Sequence, residues 1–277
     1  MTRATTENPV RCAGDWEGVE LGRRTVAYDE SAAILYALAV GARATELDLV
    51  LENRLRVLPT FALTLAQWAP DQLGSRGAFD TATALHGSQR LDVLAPLPPR
   101  GELDLHARVA NVWDKGGAAV FDVRVESRCF EATWSIFAPG AGGFGGERGP
   151  AKPKPIEREP DVEATTATSP DQAALYRLTG DRHLIHIDPE AAAHIGQPRP
   201  IMHGLCSLAA SALGLARAVG AHPADLTALE GRFAAPVFPG QDLQVRAWHE
   251  GDGHVFDVAA DGATAIAGGS ASFTGAS

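Results

Sequence analysis

Apolar and polar residues follow two periods along this chain, and the same order of periods occurs twice. Residues 30–42, ESAAILYALAVGA, are rich in Ala and Leu and predict a helix. Strand-like segments follow at 82–94, 101–113, 118–126 and 130–137. Within the second of these, ELDLHARVANVW alternates apolar and polar positions as a half-buried strand should. Asp114-Lys115-Gly116-Gly117 is a hairpin signal between it and the next strand. Further on, Ser169-Pro170-Asp171 predicts a short helix, with Ser as N-cap and Pro at the first helical position. A longer helix is predicted over 204–219, then strands near 229–235, 242–248, 254–260 and 263–273. Gly251-Asp252-Gly253 and Asp261-Gly262 mark the hairpins between the later strands.

Between the two runs the periodicity disappears. Residues 139–161, PGAGGFGGERGPAKPKPIEREPD, are dominated by Gly and Pro and read as a linker. Phe144 has no reason to sit in a purely flexible coil, so order is expected there. The predicted units are therefore residues 1–138, a linker at 139–161, and residues 162–277. Each half reads as a helix followed by antiparallel strands. A sheet of that kind has one face to bury, and a long apolar helix is its natural cover. The predicted class is α+β, a double hotdog with two antiparallel sheets each packed on a helix.

Composition narrows the picture in a few places. A length of 277 residues with 45% hydrophobic and 21% charged residues permits a sizeable core. The net charge of −10 argues against a broad nucleic-acid surface. Cys12, Cys129 and Cys206 are odd in number and far apart, which argues against a disulfide framework or a CxxC metal site and fits a reducing cytoplasm. The opening MTRATTENPV lacks the apolar core of a secretory signal, and the closing Gly-Ala-Ser is not a Ser-Lys-Leu tail. No apolar run is long enough for a membrane span. No GxSxG elbow, P-loop or GxGxxG is present.

The densest chemistry lies in YRLTGDRHLIHIDPEAAAHIGQPRPIMHGL, residues 176–205. It places Asp181, His183, His186 and Asp188 close together, and His203-Gly204 opens the predicted long helix. Asp181 and His186, five apart across a loop, can face one water, and His has the pKa for proton transfer near neutrality. Gly204 offers an N–H at a helix N-terminus, where orphan donors and the helix dipole can stabilise an anion. Plainer roles stand beside these: Asp181 as a helix cap, His186 as a core histidine, Gly204 as a turn residue. His-x-x-His-x-Asp also has the ligand types for a divalent metal.

The same segment resembles the signature of the hydratase 2 family, the MaoC-like enoyl-CoA hydratases. In that family Gly-Asp-x-Asn-Pro-x-His-x-Asp-Pro is followed by Pro-Ile-x-His-Gly. Gly180, Asp181, His186, Asp188, Pro189, Pro200, Ile201, His203 and Gly204 match. His183 stands at the family's Asn and Leu184 at its Pro. The likeness extends to Leu58-Pro59-Thr60-Phe61, Leu85-His86-Gly87-Ser88-Gln89, Asp114-Lys115-Gly116 and the run from Arg232 to Gly240. It implies (R)-specific hydration of trans-2-enoyl-CoA without metal or organic cofactor, in a protein expected to be cytoplasmic and homodimeric. The implied catalytic residues are Asp181, His186 and Gly204. The implied acyl-CoA contacts are His86, Gly87, Lys115, His183 and Phe233, with an exposed turn lysine and a core phenylalanine as the alternatives for Lys115 and Phe233. His183 is expected to keep the structural role of the Asn. The same resemblance leaves room for a dehydratase of carrier-bound or steroid side-chain thioesters, or for a non-catalytic acyl-CoA-binding hotdog.

Overall fold

A computed structural model describes residues 12–151 and 153–275. The opening segment and the last two residues, read above for targeting signals, lie outside the described residues. Ten strands form one antiparallel sheet: β1 Glu20–Tyr28, β2 Leu85–Val93, β3 Gly101–Asp114, β4 Ala118–Glu126, β5 Phe130–Pro139, β6 Val162–Thr166, β7 Leu226–Phe233, β8 Leu243–Glu250, β9 Gly253–Ala260 and β10 Ala263–Phe273. Their order is β1-β3-β4-β5-β2-β7-β10-β9-β8-β6. From either edge inward the connectivity is the same, so β6 to β10 repeat β1 to β5. This is the double-hotdog arrangement. The two expected sheets are joined edge to edge, because β2 pairs with β7 from Ser88↔Arg232 through Leu91↔Leu229 to Asp92↔Ala228.

Among the described residues seven α-helices accompany the sheet: α1 Glu30–Ala39, α2 Leu47–Val50, α3 Phe61–Ala66, α4 Trp68–Ser75, α5 Gln172–Tyr176, α6 Pro189–His194 and α7 Gly204–Ala218. Every residue of α7 from Leu205 to Ala216 is buried. A helix apolar all round belongs inside a core, and this one lies on β6, β7, β8 and β10. Its serines are satisfied locally: Ser207 donates to the His203 carbonyl and Ser211 to that of Ser207. Over the first half, α3 lies on β5 and α4 on β1 and β4. The predicted first helix, α1, instead packs on α2, α3 and α5, where Tyr36 meets Phe61 and Tyr176 ring to ring. It stops at Ala39, three residues short of the prediction, where the chain turns at Gly41 with φ +100°.

The periodicity located β3, β4, β5, β8, β9 and β10 to within two residues, but it missed β1 and β6. Both are edge strands with mostly exposed or half-exposed side chains, and β6 is only five residues long, so their apolar signal is weak. The Gly- and Pro-rich run after β5 is tied to the sheet. The Asp114 carboxylate accepts from the N–H groups of Gly116, Gly143 and Gly145 at 2.7–2.9 Å, and these donors hold its pKa down to about 2. Phe144 packs against the core, as expected for an aromatic in an ordered segment.

The seam between β2 and β7 sets a requirement on the whole. Residues 162–277 expressed alone should be poorly soluble and inactive, because β7 would present an open edge from Ala228 to Arg232. Solubility and an enoyl-CoA hydration assay check this, and a soluble, fully active fragment contradicts it.

Candidate active site

Two short turns and one helix end bring the signature residues together. Asp181 follows Gly180, and its Oδ1 accepts from the His183 N–H at 3.0 Å, which fixes the direction of the carboxylate. Leu184–His186 then form a 3₁₀ turn capped by His183, whose Nδ1 accepts from the Ile185 N–H at 3.4 Å. Asp188 caps α6 by accepting from the Glu190 N–H at 2.9 Å, with Pro189 at the first helical position. The segment before α7 is strapped across this loop. Ile201 N–H donates to the Ile185 carbonyl at 3.1 Å, and Met202 N–H donates to Val237 at 2.7 Å.

This strap determines the state of His186. Its Nδ1–H donates to the Ile201 carbonyl at 2.8 Å, so the Nε2 lone pair is left free. The ring is 8% exposed, and desolvation lowers its pKa below the ordinary 6.5, against the raising effects of the Ile201 bond and the Asp181 charge. His186 is therefore neutral at pH 7, the form that accepts a proton. His203, 2% exposed, lies beneath it. The two rings stack at 3.6 Å with 26° between their planes, and His203 Nε2–H donates to the Asp181 carbonyl at 3.1 Å.

Gly204 begins α7, and its N–H has no acceptor among the described residues. A β-carbon at 204 would stand 3.0 Å from Phe233 Cε1, so a larger residue would crowd the ring that covers the helix end. Phe233 in turn meets the His86 ring edge-on at 4.8 Å across the β2–β7 seam. His86 Nε2–H donates to the Ser88 carbonyl at 3.1 Å, and burial pushes its pKa down to about 4. Gly87 occupies the irregularity in the β2–β5 register beside it. Thus His86, Phe233 and Gly204 form one line of contacts, and the charge of Asp181 reaches His86. Lys115 is not in this group. It lies in the β3–β4 hairpin, and its Nζ donates to the Arg148 carbonyl. His183 is exposed at the loop surface, and Leu184 beside it is 55% exposed.

One acidic neighbour had no signal in the sequence. Asp71 on α4 has a raised pKa, first from desolvation and then from the charge of Asp181. The two carboxylates therefore sense each other's charge, although more than a hundred residues separate them. His203 was quoted in the signature, but its stacking on His186 could not be read from spacing.

The donor atoms of Asp181, His186 and His203 lie within 4.8 Å of one another, the spread a metal site requires. Their orientation does not suit one. Lone pairs lie in the ring planes, and two planes stacked at 3.6 Å with 26° between them do not meet at a ligand distance of about 2.0–2.1 Å. The His-x-x-His-x-Asp alternative is not gathered: among the described residues, His183 and Asp188 do not belong to the group of close ligand atoms.

The sheet and the buried helix define a double-hotdog protein that gathers a carboxylate and two imidazoles before the N-terminus of that helix. Comparison with known proteins gives the family. The MaoC like domain matches residues 151–267, and the MFE-2 hydratase 2 N-terminal domain matches residues 26–139. The enoyl-CoA hydratase ChsH3 of Mycobacterium tuberculosis is 38% identical over 82% of this chain and 85% of its own length. The peroxisomal multifunctional enzyme type 2 of Mus musculus is also 38% identical, over 85% of this chain, but the chain spans only 35% of that protein. A MaoC-like dehydratase from Phytophthora capsici superposes with a TM-score of 0.85 at 28% identity, over 96% of this chain and 98% of that one. The chain belongs to the MaoC-like hydratase 2 family.

The cap made by His183 gives a direct test of the loop. His183→Asn should keep kcat within ~10-fold of wild type, about 1.4 kcal/mol, because an Asn oxygen can cap the same turn. His183→Ala should lose more, through the unpaired Ile185 N–H. Steady-state kinetics with and without a chelator check this. An inactive, chelator-sensitive His183→Asn contradicts it.

Proposed function

We propose that this protein is an (R)-specific 2-enoyl-CoA hydratase, adding water to trans-2-enoyl-CoA to give (3R)-3-hydroxyacyl-CoA. The observation that carries the reading is the free Nε2 of a neutral, buried His186 beside the fixed carboxylate of Asp181. A ring nitrogen of His186 and a carboxylate oxygen of Asp181 lie within 4.8 Å, a spacing at which one water can donate to both residues at about 2.7–2.8 Å. The oxygen of that water is then free to attack C3. As the C3–O bond forms, one proton passes to the Asp181–His186 pair and the C2=C3 π electrons move toward the thioester. The resulting enolate oxygen is placed at the Gly204 N–H, where the α7 dipole favours negative charge. A proton returned from the same pair to C2 completes the addition on one face of the double bond. The reverse sequence of steps is dehydration and uses the same groups.

In this reading residues 162–277 carry the catalytic motif, while residues 1–138 bind acyl-CoA through His86 and Gly87. Phe233 covers the thioester end. Lys115, on the hairpin, serves the phosphates of CoA by exchanging its carbonyl partner for them. No organic cofactor or metal takes part. Among the described residues no helix is long and apolar enough to cross a membrane. Cys12, Cys129 and Cys206 are free thiols, which supports a reducing compartment such as the cytoplasm. A homodimer is part of the proposal, and sedimentation at the 29.1 kDa of a monomer would remove that part.

Asp181→Asn and His186→Ala should each lower kcat with crotonyl-CoA by at least ~100-fold, followed as loss of the conjugated enoyl absorbance. Near-normal turnover in either folded variant sinks the assignment. The pH profile is a separate test. Desolvation lowers the His186 pKa, so the acid limb of kcat/KM should have its midpoint below the 6.5 of an ordinary histidine. An acid limb above pH 6.5 would contradict a neutral His186 base.

A further inference from the structure

One side chain is joined to each part of the proposed machinery. His203 donates Nε2–H to the backbone carbonyl of Asp181 at 3.1 Å, stacks on the His186 ring at 3.6 Å, and is followed directly by Gly204. Asp181 and His186 lie on the loop before α6, whereas Gly204 begins α7. Loop and helix end must keep a common register if one water and one thioester oxygen are to meet all three groups. The backbone bonds of Ile201 and Met202 hold the strap, but neither reaches Asp181. Among the described residues, the only hydrogen bond from α7 or its cap to Asp181 comes from His203.

We propose that His203 is a positioning residue of the hydration reaction, tethering Asp181 and bracing His186 so that both stay in register with the Gly204 N–H. The proposal rests on the hydratase reading and assigns His203 no proton transfer. The acceptor at Nε2 is a carbonyl, so that nitrogen carries the hydrogen. Nδ1 is buried without a partner. Burial, and next to it the charge His186 would carry, pushes the His203 pKa down to about 3, so the ring is neutral throughout the working range. Tyr176 packs on it at 4.7 Å and closes it from the side of α1. A neutral ring with its one N–H committed can hold geometry but has no proton to give. The gain at stake is positional, and a shift of about 1 Å in a catalytic group can cost about 100-fold in rate.

Three variants separate tether from ring. His203→Gln can keep an N–H near the place of Nε2 and so keeps the tether. His203→Phe keeps the stacked ring and loses the tether. His203→Asn is too short to reach the Asp181 carbonyl and introduces no extra bulk, so it serves if the Phe variant does not fold. With crotonyl-CoA, His203→Gln should keep kcat within ~10-fold. His203→Phe and His203→Asn should lose ~30- to 100-fold in kcat with KM within ~3-fold, since the substrate contacts are untouched. Thermal unfolding confirms that each variant is folded at the assay temperature. A folded His203→Asn or His203→Phe within ~3-fold of wild-type kcat overturns the proposal. A His203→Gln as inactive as Asp181→Asn overturns it too, because His203 would then be a proton-transfer group. If wild type hydrates no enoyl-CoA, the hydratase reading fails, and backbone NMR still decides the tether. His203→Asn must shift the amide signals of Arg182 and His183, and unchanged signals refute it.

Discussion

The pairing of β2 with β7 is the constraint from which the rest follows. Each half alone is a five-stranded sheet with an open inner edge. The seam closes both edges with five residue pairs and carries the apolar pair Leu91↔Leu229 across the molecule's centre. It also fixes the distance between two strand ends that the chain keeps far apart. His86 comes from one side of the seam and Phe233 from the other, and Phe233 covers the residue that opens α7. The helix end is therefore placed by the sheet, and the catalytic loop is placed by the helix end.

From there the site is built largely with backbone groups. Ile201 hands its carbonyl to His186 and so selects the tautomer, while His183 N–H orients Asp181. Burial then keeps His186 neutral. None of these features needs a bound ion. The result is a free imidazole nitrogen and a carboxylate on one side of a helix N-terminus, the minimum required to move a proton while charge develops on a thioester oxygen.

The sequence made much of this legible, for identifiable reasons. Interior strands such as β4 and β10 announce themselves because one face is buried, so alternation survives. β1 and β6 do not, because an edge strand has little to bury. Strands β2 and β7 were found as strands, but nothing in either shows that they pair. That register depends on two halves meeting, which is a tertiary fact. The signature named Asp181, His186 and Gly204 by spacing, and the fold brings them together. Asp71 could not be found that way, since α4 approaches the loop only after the first half has packed on its sheet. Lys115 was grouped with the site by resemblance, yet its side chain holds Arg148 in the Gly- and Pro-rich run.

The central claim is that a paired carboxylate and neutral imidazole add water from one face of an enoyl thioester. The stereochemistry of the product reports on this most directly. Hydration of trans-crotonyl-CoA in D₂O should give (3R)-3-hydroxybutyryl-CoA with the C2 deuterium delivered to the same face as the C3 oxygen, read from the proton coupling constants of the product. A (3S) product, or deuterium on the opposite face, would contradict the account.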